Sequence, residues 1–406
     1  MKYDTVPLKS VLQPKGYIRG PFGSALKRGD MLETGVPVYE QQHAIYNSRT
    51  FRFFISPAKA IEMNRFAVEE NDLIISCSGT VGMVSLIQKN DPKGIISQAL
   101  LLLRVNPKIV DPVFLNYFFK SQEGYNSIIS RSSGSVQVNI SKRETIESIP
   151  IPLPPIDVQK KIAAILFALD EKIATNRAIN ENLERQLRTI FKAEFTDNPE
   201  LENITQIPLS ELCHVVTKGT TPTTLGKPFV ESGINFIKAE SILDDHSIDK
   251  SKFAFIDEET NALLKRSIIH AGDVVFTIAG TLGRFALIDE NVLPANTNQA
   301  VAIIRADVEK VLPEYIYTCF IGEWHTDYYA KRVQQAVQAN LSLTTIKSLP
   351  IPLLDEAKMS EYLSLILPLI KAIKTNEAQN EKLAALRDNL LPKLMSGEID
   401  VSDIQL

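Results

Sequence analysis

From Ile162 onward, apolar side chains return at alternating intervals of four and three: Ile162, Leu166, Leu169 and Ile173, then Asn176 and Asn180, then Leu183, Leu187 and Ile190. A second stretch repeats the pattern as Tyr362, Ile366, Leu369, Ile373, Asn376, Asn380, Leu383, Arg387 and Leu390. Such spacing predicts a narrow coiled-coil seam, because a single helix laid on a globular core carries a wider apolar stripe and no polar pair at its centre. Each helix should run ~38 residues, or ~57 Å. The first helix leads into the linker before a second domain and the second helix leaves that domain, so the pair is expected to be antiparallel. Asn176 then approaches Asn380 and Asn180 approaches Asn376. Buried asparagines lower stability but fix register, since a slip would set an unpaired amide against leucine.

The remainder reads as short strands and turns, and it reads twice. Pro7-Leu8 recurs as Pro208-Leu209, and Asp72, Gly79, Thr80 and Gly82 recur as Asp273, Gly280, Thr281 and Gly283, all 201 residues on. The same offset carries Gln98-Ala99, Arg104, Pro112, Gln137, Asn139 and Ser141 onto Gln299-Ala300, Arg305, Pro313, Gln338, Asn340 and Ser342. After one deletion the offset is 200, and Pro150-Ile151-Pro152-Leu153 matches Pro350-Ile351-Pro352-Leu353. A register held over so many positions identifies an internal duplication.

Within each copy, Cys77-Ser78-Gly79-Thr80-Val81-Gly82 and its repeat lie between apolar β-prone runs. A tight strand connection is expected there. A phosphate loop would need Gly-Lys-Ser/Thr and a following helix. Helices are expected after Pro112 and Pro313. Proline-punctuated arms at residues 149–155 and 349–352 form stiff connectors, and Asp157 and Asp355 are candidate N-caps for the long helices. The predicted fold class is α+β. Two similar globular domains, residues 1–155 and 201–354, are joined by two long helices, residues 156–200 and 355–406, in an antiparallel coiled coil with the outline of a pseudo-twofold dumbbell.

Composition narrows the function. The chain has 406 residues, 44% hydrophobic and 23% charged, and three scattered cysteines, Cys77, Cys213 and Cys319, too few for a disulfide framework or a CxxC zinc site. With neither a signal-like start nor a ~20-residue apolar span, a cytoplasmic location without membrane association is expected. The net charge of -4 hides a contrast, since residues 1–155 carry +5 and residues 201–354 carry -5. Nucleic-acid binding must therefore rest on local surfaces or on a partner. The five histidines form no HExxH or HxH pattern, Cys213-His214 is an isolated pair, and no GxSxG elbow or NPPY-type methyltransferase motif occurs. No metal site and no catalytic residue is expected, and a self-contained methyltransferase is disfavoured.

Two similar heads at a fixed spacing suit a linear, bipartite target. The string IPIPLPPIDVQKKIAAIL at residues 149–166, its partial repeat LPIPL, the QVNIS and QANLS segments, TNEAQNEKL and the closing LLPKLMSGEI together resemble the DNA specificity subunit of type I restriction-modification systems. The similarity extends over nearly the whole chain. It implies two target recognition domains, each reading one half of an interrupted double-stranded DNA sequence, and helices that space the domains and dock two methyltransferase subunits. S-adenosylmethionine would reside on those partners and not on this chain. Two restriction subunits using ATP and Mg would complete the nuclease. The alternative is a two-headed coiled-coil adaptor that binds protein or glycan. The second copy departs from the family pattern: PLPPIDVQ becomes PLLDEAKM, so Gln159 lacks a glutamine counterpart, and Pro368 falls inside the second helix, where a kink is expected.

Arginine or lysine suits guanine edges and asparagine or glutamine suits adenine, so polar stretches between elements are the candidates for reading DNA. In the first domain these are Lys15, Arg19, Lys27, Arg28, Arg131, Ser133, Gln137 and Asn139. In the second they are Lys218, Thr220, Thr221, Asn296, Asn298, Gln299, Arg332, Gln335, Gln338 and Asn340. The segment RTFRFF at residues 49–54 reads as a strand with inward phenylalanines, with base stacking as its alternative.

Overall fold

The computed structural model describes residues 3–22, 26–131, 139–198, 204–326, 328–329 and 340–405. By internal contacts the chain divides into two units. One comprises Met1–Lys172 with Lys382–Leu406, the other Ile173–Glu381.

The first unit is built on strands β1 (Thr5–Pro7), β2 (Leu12–Arg19), β3 (Val36–Tyr39), β4 (Phe54–Ile55), β5 (Leu73–Ser76), β6 (Val84–Leu86), β7 (Ile95–Ile96), β8 (Leu100–Val105) and β9 (Pro150–Pro152). An antiparallel sheet runs β2-β8-β5-β6, a second sheet runs β4-β3-β7 with β3 and β7 parallel, and β1 pairs with β9. The central strands β5 and β8 read Leu-Ile-Ile-Ser and Leu-Leu-Leu-Leu-Arg-Val, apolar on both faces. One face of this sheet packs against the helix Pro112–Lys120, where Phe114, Leu115, Phe118 and Phe119 are buried; the other packs toward Tyr39 and Ile96 of the smaller sheet.

The second unit repeats the plan with β10 (Gln206–Pro208), β11 (Cys213–Lys218), β12 (Ile234–Ile237), β13 (Ala254–Ile256), β14 (Ile268–Ile269), β15 (Val274–Thr277), β16 (Phe285–Leu287), β17 (Ala295–Thr297), β18 (Val301–Ala306) and β19 (Pro350–Pro352). The sheet orders are β11-β18-β15-β16, β13-β12-β17-β14 and β10-β19. The expected duplication is thus visible in topology and in register: Ile74 faces Leu102 and Val275 faces Ile303. The second-copy pair lies 201 positions beyond the first. The fold class is α+β.

One buried device is duplicated atom for atom. Arg104 donates from Nε and Nη2 to Asp72 at 2.8 and 2.7 Å and from Nη2 to the Ala67 carbonyl; Arg305 does the same to Asp273, at 2.7 and 2.7 Å, and to Ile268. Each aspartate also accepts from a backbone N–H, of Glu69 or of His270. Burial pushes the Asp72 carboxyl up, against the pull of Arg104.

The long helices span Ile156–Phe195 and Glu356–Ser396, 40 and 41 residues, or ~60 Å each. In the second unit they run antiparallel, as the seam predicts. Asn176 donates to the Asn380 and Gln379 side-chain oxygens at 2.8 Å each, Asn376 donates to Asn180 Oδ1 at 2.8 Å, and Asn180 donates to the Ile373 carbonyl at 3.2 Å. In the first unit Arg387, which stands where the first helix has Leu187, donates to Asp170 at 2.7 Å, and Tyr117 donates to the other oxygen of that carboxylate at 2.7 Å. Away from the asparagines the helices serve the domain cores. Ile162 and Leu166 are buried in the first, and Leu187, Phe191, Phe195, Tyr362 and Ile366 in the second.

Replacing Asn176 and Asn380 together with leucine is expected to keep or raise the unfolding free energy, whereas Asn176→Leu alone should lower it by about 1–3 kcal/mol, because Asn380 is left without its donor. Urea unfolding of the two single variants and the double variant checks this. A cycle with no coupling would contradict the register.

One sequence expectation changes here. The second helix stays helical through Pro368, which is exposed, so the carbonyl it leaves unbonded can be hydrated on the outer side. Asp355 caps that helix, accepting from Lys358 N at 2.9 Å, but the first helix already begins at Ile156, which places Asp157 inside its first turn. Gln159 is fully buried: its amide accepts from Asp111 N at 2.8 Å and donates to the Pro154 carbonyl at 2.8 Å. Its counterpart is Met359, and Asp111's is Leu312. In the first copy the glutamine thus serves the fold, bonding two backbone groups inside the domain.

Candidate nucleic-acid interface

At one end of each four-stranded sheet, three loops and one bridging segment meet. The first loop follows the edge strand, which ends in a basic residue and a glycine in both copies. Arg19 pairs with Leu101 and Lys218 with Ala302, so the two cations hold equivalent positions although the strands differ in length before them. The glycines are required by close approach. A Cβ on Gly20 would lie 1.9 Å from the Ser97 carbonyl oxygen, and one on Gly219 would lie 1.8 Å from that of Thr297.

The second loop is the glycine-rich turn. Gly79 and Gly82, like Gly280 and Gly283, have left-handed backbones with φ of 67°, 88°, 76° and 89°. The turn is closed by Gly82 N to the Ser76 carbonyl at 2.9 Å and by Gly283 N to the Thr277 carbonyl at 3.0 Å. The Ser76 and Thr277 hydroxyls accept from Met83 N and Arg284 N. A strand follows in both copies, so this is the expected strand connection. Its tips, Thr80 and Thr281, are exposed.

The third loop precedes the central strand and carries Gln98 or Gln299. Both are exposed. It is tied to the turn by Cys77 N to the Ala99 carbonyl at 2.9 Å and by Ile278 N to the Ala300 carbonyl at 2.8 Å. The bridging segment enters at Asn139 and Asn340, where Ile140 N reaches the Cys77 carbonyl and Leu341 N the Ile278 carbonyl, both at 2.9 Å. Ser78 and Asn139 form a β-bridge.

In the first unit, then, Arg19 and Asn139 are brought together. Arg19 lies beside Cys77, whose thiol burial pushes up to about 12, and its Nη1 is buried without a hydrogen-bond partner. Arg131 donates to the Ser127 carbonyl at 2.8 Å and closes the helix that packs on the turn. In the second unit Lys218, Thr220, Thr221, Asn298, Gln299 and Asn340 share the cluster. The Thr221 hydroxyl donates to the Gln299 amide oxygen, and Asn298 Oδ1 accepts from Ala300 N at 3.0 Å. Gln98, the counterpart of Gln299, escaped the reading of the first domain; the duplication itself is the signal that finds it.

Other candidates lie elsewhere. Lys15 is exposed in a bulge with φ of 62°, and Gly16 beside it packs on the Arg104 carbonyl, toward the opposite end of the sheet from Arg19. Lys27 and Arg28 belong to a 3-10 turn at the smaller sheet, closed by Lys27 N to Asp30 Oδ2 at 2.8 Å. Asn296 is corrected outright. It is fully buried in β17, donates to Asn261 Oδ1 at 2.8 Å and accepts from Thr297 N at 2.8 Å, so its amide is spent inside the sheet. Ser133, Gln137, Arg332, Gln335 and Gln338 lie outside the described residues. The RTFRFF segment is no stacking platform: Phe51 stacks on His43 at 4.5 Å between centroids, Arg49 pairs with Asp91, and Arg52 pairs with Glu40.

The two clusters share their backbone and the side chains of Thr80 and Thr281, Gln98 and Gln299, and Asn139 and Asn340; they differ after the edge strand, where Arg19, Pro21 and Phe22 stand against Lys218, Thr220 and Thr221. That is a repeated module with a common frame and a variable edge. The sequence model of the type I restriction modification DNA specificity domain matches residues 26–185 and again 202–385, and the chain belongs to that family. It carries two DNA target recognition domains of this family. Among its relatives, the type I restriction enzyme MjaVIII specificity subunit of Methanocaldococcus jannaschii is 25% identical over 354 residues, covering 83% of this chain and 81% of the relative. The MjaIX specificity subunit of the same organism is 26% identical, with 83% and 82% covered. The Escherichia coli EcoBI specificity subunit is 23% identical, with 82% and 74% covered. The crystal structure of the S subunit from M. genitalium superimposes with a TM-score of 0.59 at 15% identity, over 97% of this chain and 96% of that one, and shares the fold. Among the described residues no helix is long and apolar enough to cross a membrane.

Proposed function

We propose that this chain is the non-catalytic, sequence-reading subunit of a type I restriction-modification complex. Each domain reads one half of an interrupted double-stranded target through its strand-end loops. The long helices set the gap and offer docking surface to two methyltransferase subunits, which bring S-adenosylmethionine; two restriction subunits using ATP and Mg join for cleavage. The observation that carries this reading is the loop cluster built twice on the same hydrogen bonds, with Arg19, Gln98 and Asn139 displayed in one copy and Lys218, Thr221, Gln299 and Asn340 in the other. Arg19 and Lys218 sit where phosphates or guanine edges would be met, and the glutamine and asparagine amides suit adenine. Deleting the gene should erase one bipartite adenine-methylation motif from the host genome, which methylome sequencing reads directly. A methylome unchanged by the deletion would refute the proposal.

A further inference from the structure

Three arginine pairs recur at the duplication offset of 201: Arg104 with Arg305, Arg131 with Arg332, and Arg65 with Arg266. Arg104 and Arg305 each clamp a buried aspartate, and Arg131 closes a helix. Arg65 and Arg266 have no such folding task. Each is the middle residue of a 3-10 turn, Asn64–Phe66 or Lys265–Ser267, that follows a short helix, Pro57–Glu62 or Glu258–Leu263. The turns are seated alike, by Met63 and Leu264, 3% and 5% exposed. Both arginines are exposed, and among the described residues neither forms an ion pair.

Their neighbours place them beside the interface. The turn Asn64–Phe66 packs against β2 and the turn Lys265–Ser267 against β11, the strands that end in Arg19 and Lys218. Arg266 donates from Nη2 to the Thr220 hydroxyl at 3.4 Å, one residue past the close-packed Gly219. Arg65 lies against the Phe66 ring, 5.8 Å from its centroid.

We propose that Arg65 and Arg266 are equivalent phosphate contacts, one in each domain, that seat the domain on the duplex whatever its sequence. The inference rests on the proposed DNA-reading function and adds a division of labour to it. Domains that read different half-sites still share one phosphate backbone, and an identical exposed cation at an identical position in both can grip it whatever the bases. A guanidinium suits that task through its fork of donors. An exposed arginine with no carboxylate partner contributes little to folding.

The test uses the full-length chain assembled with its methyltransferase subunits and a labelled random-sequence duplex at a series of salt concentrations. Arg65→Gln and Arg266→Gln should each weaken binding about tenfold and make the plot of log affinity against log salt shallower by about 0.9. Arg65→Lys should keep the slope. The loss should be the same on a duplex carrying the host methylation motif, and the thermal unfolding curves should stay with the wild type. A slope unchanged in both variants while Arg19→Gln weakens binding would overturn the proposal and leave the DNA reading standing. So would a loss confined to one sequence, or unfolding of both variants. No binding of any duplex by the wild-type assembly would bring down the DNA reading itself, and the proposal with it.

Discussion

A chain lengthened by one heptad in each long helix, between Lys172 and Ile173 and between Glu381 and Lys382, is expected to read the same two half-sequences across a gap about three base pairs longer. Those positions are where the chain passes from one unit to the other, so contacts within each unit are kept. Seven residues preserve the seam and add ~10.5 Å of helix. Duplex DNA rises ~3.4 Å per base pair, which converts that length to about three pairs. Each added pair also rotates one half-site against the other, and twisting B-form DNA costs energy, so overall affinity should fall while the preferred gap moves. An insertion nearer the end of the first helix, beside Thr189, would be a poorer experiment, because Phe191 and Phe195 beyond it are buried in the core of the second unit. Methylome sequencing of cells carrying the lengthened chain reads the gap. An unchanged gap would show that the helices are not the ruler.

Asp273→Ala is expected to lower the unfolding free energy by about 3–5 kcal/mol, a larger loss than that of Asn176→Leu. The carboxylate is fully buried and receives three hydrogen bonds, two from Arg305 and one from His270 N. Removing it leaves the Arg305 guanidinium with only the Ile268 carbonyl and the His270 N–H without a partner. Thermal unfolding should shift down on the order of 10 °C. Exchanging Asp273 and Arg305 together for leucine should cost far less than the sum of the single changes, because the uncompensated charge disappears with the pair. Strict additivity in that cycle would contradict the account of the ion pair as one unit.

Much of this architecture is legible in the linear sequence because duplication supplies its own control. Asn176 and Asn180 are marked by their repetition at Asn376 and Asn380, and a 3.5-residue period admits few other readings. The same comparison separates scaffold from display at Asp72 and Arg104, where identity reflects a buried ion pair. Other features depend on what lies across the sheet, and no local pattern reports that. Asn296 looks like a loop amide beside Asn298 and Gln299, yet parallel pairing of β17 with β12 draws it into the interior. Lys15 and Arg19 are neighbours in sequence, but the bulge after Leu12 separates their ends of the strand. Gly20 and Gly219 lie 199 apart and not 201, which hides their equivalence until the pairing of Arg19 with Leu101 and Lys218 with Ala302 is seen. Gln159 carries no sign of burial in its local sequence until its amide is found bonded to Asp111 N and the Pro154 carbonyl.

The central claim is that each domain reads one half of the target independently, through the loops at the end of its large sheet. The most direct measurement is a map of methylated adenines in cells whose only copy of this chain carries Thr221→Ala and Gln299→Ala, two exposed-loop changes confined to the second domain. The account predicts that one half of the bipartite motif relaxes or changes its bases while the other half and the gap stay as they were. Alteration of both halves together, or a full motif that persists unchanged, would contradict it.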